Sequence, residues 1–153
     1  MRLKRILLLW GACLFVLSIQ AQLLSPSLHP KREFRAAWIQ TVHGHFRDMP
    51  AKQLQDTLLV MLDSLRQVGM NAVIFQIRPE ADAFYPSDLE PWSRFFTGLQ
   101  GKKPEPEWDP IRFMIEECHR RAMEFHAWIN PYRVKNKLDD ELASTHIYNR
   151  HPE

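Results

Sequence analysis

NAVIFQIRPEADAFYPSDLEPW, residues 71–92, changes character part-way along. Ala72–Ile77 is apolar apart from Gln76, the pattern of a buried strand in a parallel sheet. Arg78-Pro79 ends it. Proline removes a ladder donor and biases the residue before it towards extended backbone. Beyond lies a loop too long for a simple connector, crowded with Glu80, Asp82, Tyr85, Asp88, Glu90 and Trp92. Parallel-sheet proteins gather their chemistry just past the carboxyl ends of strands, so this loop is the first place to look for a site.

Working outward, Phe34–Val42 reads as a first buried strand and His43–Pro50 as a loop. In Ala51–Val68 the apolar residues Leu54, Leu58, Met61, Leu62, Leu65 and Val68 fall at helical spacing. Pro50 suits the start of that helix and Gly69 its C′ position. Asp109-Pro110 is an N-cap followed by proline at N1, opening a second helix with Ile111, Met114, Ile115, Cys118 and Ala122 on one face. Phe125–Ile129 reads as a third strand, closed by Asn130-Pro131. Tyr132–Glu153 is polar and ends without a stop signal.

The order is strand, helix, strand, helix, strand. Val68-Gly69-Met70-Asn71 and Arg121-Ala122-Met123-Glu124 repeat one pattern: helix end, small residue, Met, polar residue, strand. Repeated β/α units imply a parallel sheet with right-handed crossovers. The expected fold class is α/β, the N-terminal part of a TIM-type (β/α)8 barrel with about three strands and two helices. A whole barrel typically takes about 250 residues.

Residues 1–21 are set aside as a signal peptide: Arg2, Lys4 and Arg5 precede the apolar Ile6–Ile19, and Ala21 offers a small residue before a cut. An apolar run of about 14 falls short of the roughly 20 needed to span a bilayer, so no stable membrane anchor is expected after cleavage. Export to the periplasm or beyond is the expected location. Residues 22–32, with Ser25-Pro26-Ser27 and His29-Pro30, read as a linker, and 33–153 as the domain. The whole chain carries 20 Lys+Arg against 18 Asp+Glu. The signal takes three basic residues with it, leaving an even balance and no basic surface for nucleic acid. Of Cys13 and Cys118 only the second would remain, which allows no internal disulfide.

Arg78 offers a rigid fork of donors for a carboxylate or for sugar hydroxyls; an ion pair with Glu80 or Asp82 is the structural alternative. Glu80, Asp82, Asp88 and Glu90 supply carboxylates of the kind glycoside hydrolysis uses in pairs, although acids in a long loop are commonly solvated. Trp38, Tyr85, Trp92, Trp108 and Tyr132 could stack on pyranose faces or simply pack the loops. Asn130, Tyr132 and Arg133 repeat the tip pattern on strand three. His43-Gly44-His45 could be half of a metal site in an amidohydrolase barrel. That is the main alternative, with a non-catalytic glycan-binding module as a third. No HExxH, G-x-G-x-x-G, P-loop, G-x-S-x-G or C-x-x-C occurs. No cofactor is expected, and no metal outside the amidohydrolase alternative.

FRAAWIQTV, GMNAVIFQIRPEADAFYPSDLEPWSRFFTGLQGK, WDPIRFMIEECHRRAMEFHAWINPYRV and the closing HPE resemble the bacterial glycosyl-hydrolase-like family 10, over about residues 33–153. The resemblance implies a TIM-type barrel acting on glycosidic bonds, with bacterial cell-wall glycan strands as a substrate class. It would put Arg78, Asp82, Glu90, Trp92, Asn130 and Arg133 in or beneath the cleft. Related barrels carry the catalytic acid and nucleophile on later strands, so these are expected beyond Glu153, and this chain alone is expected to be incomplete and inactive. Ala122 departs from the family pattern, which tends to Gly there. If that position is left-handed, Ala costs about 1 kcal/mol.

Overall fold

A computed structural model of the chain describes residues 33–135 and 141–151. The signal and linker readings concern residues outside that range. Three strands, β1 (Ala36–Ile39), β2 (Ala72–Arg78) and β3 (Glu124–Ile129), form one parallel sheet in the order β1-β2-β3. Helix α1 (Ala51–Gln67) links β1 to β2. The short α2 (Arg94–Thr97) and the longer α3 (Pro110–Arg120) lie between β2 and β3, and α4 (Ile147–Arg150) follows β3. The mixed α/β fold with its parallel sheet is the one the alternating pattern called for. It is what part of a (β/α) barrel looks like.

The sheet begins from one polar anchor. The Asn71 amide donates to the Arg35 carbonyl at 2.9 Å, the Arg35 amide donates to Asn71 Oδ1 at 2.8 Å, and the Glu124 amide donates to the Asn71 carbonyl at 2.8 Å. One side chain and one peptide thus set the starting level of all three strands. Trp38, Ile74 and His126 then lie side by side across the sheet.

The helices pack by the stripes their spacing implied, except that Val68 and Ala122 lie past the helix ends and are exposed. Leu54, Leu58 and Leu62 of α1 and Ile111, Met114 and Cys118 of α3 join Val73 and Phe75 in one buried cluster. Asp109 caps α3, its Oδ1 accepting from the amides of Ile111 and Arg112, both at 3.0 Å. Ala122 follows that helix at φ 52°, so the position is left-handed.

The expectation for the first strand needs correction. The first strand is shorter than Phe34–Val42 and only Ile39 in it is fully buried; Trp38 is 61% exposed and Phe34 58%. Trp38 lies on the face away from Val73 and Phe75, where it pairs with Trp128 at 5.3 Å between ring centroids. The polar tail also holds structure that its composition does not advertise, namely α4 and the turn before it.

Candidate active-site wall at the carboxyl edge of the sheet

Arg78 closes β2 at a register shift. Gln76 pairs with Trp128, but Arg78 pairs with Ile129, so one residue of β2 has no counterpart. Such bulges re-aim a side chain, here at the point where the chain leaves the sheet. The Arg78 guanidinium spans two elements. Its Nε donates to Glu90 Oε1 at 2.6 Å and its Nη2 pairs with the same oxygen, while Nη1 donates to the Asn130 carbonyl at 2.7 Å. In return the Asn130 amide donates to the Arg78 carbonyl at 2.9 Å. The tips of β2 and β3 and residue 90 of the intervening loop are therefore one bonded unit. A planar guanidinium, with donors fixed along two edges, meets both partners in one set geometry.

Arg78 and Glu90 are only about a fifth exposed, so the pair is screened less than a surface bridge. Both Arg78 contacts go to Oε1, and Oε2 accepts no hydrogen bond among the described residues. The Tyr85 phenol is pushed up, by burial first and by the Glu90 charge next, against a downward pull from Arg78. Tyr132 is 92% exposed, and the Arg133 amide donates to Asn130 Oδ1 at 3.4 Å. Arg78, Glu90, Asn130, Tyr132 and Arg133 thus share one edge of the sheet.

Glu80, Asp82 and Trp92 are placed differently. Acids in so long a loop are commonly solvated, yet the first two are buried, at 1% and 0% exposure. Arg94 Nη2 reaches Glu80 Oε2 at 2.8 Å. Asp82 Oδ1 accepts from the Glu80 amide at 3.1 Å and Oδ2 from Gln100 Nε2 at 3.1 Å. Burial pushes the Asp82 carboxyl above its ordinary range, opposed by hydrogen bonds from Gln100, Ser93 and the Glu80 amide. Trp92 packs on Phe96, which also meets Phe84. Backbone bonds fold the loop onto itself: the Ala83 amide donates to the Pro91 carbonyl and the Ser93 amide to the Ala83 carbonyl, both at 2.9 Å. These inward side chains form the base on which Glu90 stands. Asp88 is exposed.

Of the other aromatics, Trp108 is partly buried between Phe96 and Phe113. It also lines a cavity of about 230 Å³ with Asp48, Phe96, Lys102 and Lys103, which none of the residues singled out at the sheet edge touches. His43 and His45 are exposed on a 3-10 turn, Val42–Gly44, with His43 at φ 72°. Among the described residues no group of three or more His, Cys, Asp and Glu is placed to hold a metal.

The sequence reading missed Ser93, Arg94, Gln100 and His146. Ser93 was findable: serine five residues before the Gly98 stop is a cap pattern, and its Oγ accepts from the Phe95 amide at 3.3 Å. Gln100 and His146 carry no local signal, because their partners are distant in the chain.

Residues 33–153 match the family described as Glycosyl hydrolase-like 10. The chain is 45% identical over 128 residues to "Glycosyl hydrolase YngK" of Bacillus subtilis (strain 168), an alignment covering 80% of this chain and 25% of that protein. It is 44% identical over 84 residues to "Glycosyl hydrolase DigH" of Escherichia coli (strain K12), covering 55% of this chain and 19% of that protein. The chain thus spans about a quarter or less of the relatives it matches. A parallel sheet with a bonded polar edge, and a family match over the whole domain stretch, lead to one assignment: the chain belongs to the Glycosyl hydrolase-like 10 family.

Proposed function

We propose that this chain is part of an exported glycoside hydrolase acting on a polysaccharide, with bacterial cell-wall glycan strands as the substrate class. In this reading the sheet belongs to an eight-stranded barrel, and the β2–β3 edge is one wall of its cleft. The observation that carries the proposal is the Arg78 clamp at the carboxyl edge of a parallel sheet, in a chain of this family. Arg78 holds Glu90 fixed through Oε1, which leaves Oε2 to accept a hydrogen bond from a sugar hydroxyl. The exposed Tyr132 ring offers a face for the C–H side of a pyranose, with Asn130 and Arg133 beside it for hydroxyl or acyl groups. Glu80, Asp82 and Trp92 serve from beneath, by holding the loop.

Glycoside hydrolysis needs two carboxyl groups about 5–5.5 Å apart for retention or about 6.5–9.5 Å apart for inversion. Glu80 and Asp82 are sealed from solvent and already bonded, so the acid and nucleophile are assigned to strands outside this stretch. The amidohydrolase alternative would need further ligands from outside this stretch, since no third one joins His43 and His45 among the described residues.

The test is turnover of purified glycan strands by the full-length protein and by Glu90→Gln and Arg78→Lys variants. Each variant should lose roughly tenfold or more in kcat/KM, equivalent to about 1.4 kcal/mol of transition-state stabilisation. Absence of turnover by the parent on any glycan polymer, or full activity in both variants, would overturn the proposal.

A further inference from the structure

The loop that carries Glu90 is held by a second part of the chain, 66 residues from its attachment point in sequence. His146 Nε2 lies 2.8 Å from the Glu80 carbonyl oxygen, while its Nδ1 accepts from the Tyr148 amide at 3.2 Å. The second contact fixes the tautomer: Nδ1 is the acceptor, so the proton is on Nε2 and is donated to Glu80. The Ala143 amide donates to Gln100 Oε1 at 2.9 Å, and Gln100 Nε2 donates to Asp82 Oδ2 at 3.1 Å. Asp82 Oδ1 takes the Glu80 amide, and the His146 amide donates to the Ala143 carbonyl at 2.9 Å.

These contacts close on themselves: Glu80, Asp82, Gln100, Ala143, His146 and back to Glu80. The three side chains in the ring, Asp82, Gln100 and His146, are 0–6% exposed. A buried network with its members satisfied rigidifies what it joins. What it joins here is the peptide two residues beyond Arg78 and the floor under Glu90.

We propose that His146 and Gln100 are positioning residues for the glycan-binding edge, with residues 141–151 acting as a strap that sets the exit of the chain from β2. Neither residue touches the substrate. Their effect passes through Glu80 and Asp82 to the aim of Arg78 and the height of Glu90. The idea rests on the proposed role of Arg78 and Glu90, but its test does not depend on turnover.

Hydrogen exchange in the full-length protein separates the strap from a merely local cap. Gln at position 146 can present an amide N–H where Nε2 stands, but it does not cap α4. Asn caps α4 well but is too short to reach Glu80. The strap predicts that His146→Ala and His146→Asn raise exchange about tenfold or more at amides 80–92, while β2 amides 73–76 stay protected and His146→Gln stays near the parent. KM for glycan strands should follow the same order, with kcat less affected. Rescue by Asn and not by Gln would overturn the proposal in favour of a local cap. Unchanged exchange at 80–92 in both Ala and Asn variants would also overturn it. A parent that turns over no glycan, yet shows the expected exchange pattern, would remove the substrate reading and leave the strap standing.

Discussion

Gln100→Glu replaces one heavy atom and should make the contact with Asp82 more strongly pH-dependent. Gln100 is 6% exposed, with its carbonyl oxygen held by the Ala143 amide at 2.9 Å and its amide donating to Asp82 Oδ2 at 3.1 Å. The carbonyl end is already committed to an N–H donor, so a glutamate must turn its second oxygen on Asp82. Two carboxylates at that distance in a buried site cannot both be ionised, and one must hold a proton. Asp82 is already pushed upward by burial, and the variant removes the Gln100 bond that opposes the rise.

The sign follows from proton uptake. A carboxyl whose folded pKa is raised binds more protons folded than unfolded, so stability falls as pH climbs from the ordinary carboxylate range through the raised value. At about pH 4, near the ordinary carboxylate values, the protonated group restores the bond as an O–H donor and the variant should lie close to the parent. Above the raised value the charge-assisted bond is lost, worth about 1.5–3 kcal/mol. Urea unfolding of variant and parent at pH 4 and pH 7.5 measures the difference directly. A deficit of the same size at both values, or none at pH 7.5, would mean that the Gln100 amide does not face Asp82.

Ala122→Gly should stabilise the protein by about 1 kcal/mol, because Ala122 sits at φ 52°, where a Cβ is strained; a midpoint shift in the same urea titration, with unchanged slope, is the readout. Cys118 is fully buried and its thiol is pushed up to about 11, by burial first. Its alkylation by iodoacetamide at pH 8 should therefore be slow in the folded protein and become fast in denaturant, followed by mass spectrometry; rapid labelling without denaturant would contradict the packing of α3.

The elements of this chain follow from local rules. The stripe Leu54, Leu58, Leu62 makes α1 a helix and says which face is covered. Asp109-Pro110 starts α3, and the small residues at 69 and 122 mark left-handed turns, Gly69 at φ 84° and Ala122 at φ 52°. Arg78-Pro79 marks a strand tip. Each signal acts within about one turn of helix or one strand, so a single sequence suffices to read it. The fates of the acids were not legible in this way. Glu80, Asp82, Asp88 and Glu90 lie within eleven residues, yet the first two are buried, the third is exposed and the fourth is clamped by Arg78. Nothing in their spacing distinguishes them. What does so is the company each meets: Arg94 for Glu80, Gln100 for Asp82, solvent for Asp88, Arg78 for Glu90. The exposure of Trp38 is of the same kind, since an apolar strand residue is buried only where another layer covers its face. Periodicity reports how a segment can fold, because it reflects bonds and sterics along the chain. Burial of a charge depends on partners brought from tens of residues away, and only the tertiary structure brings His146 to Glu80.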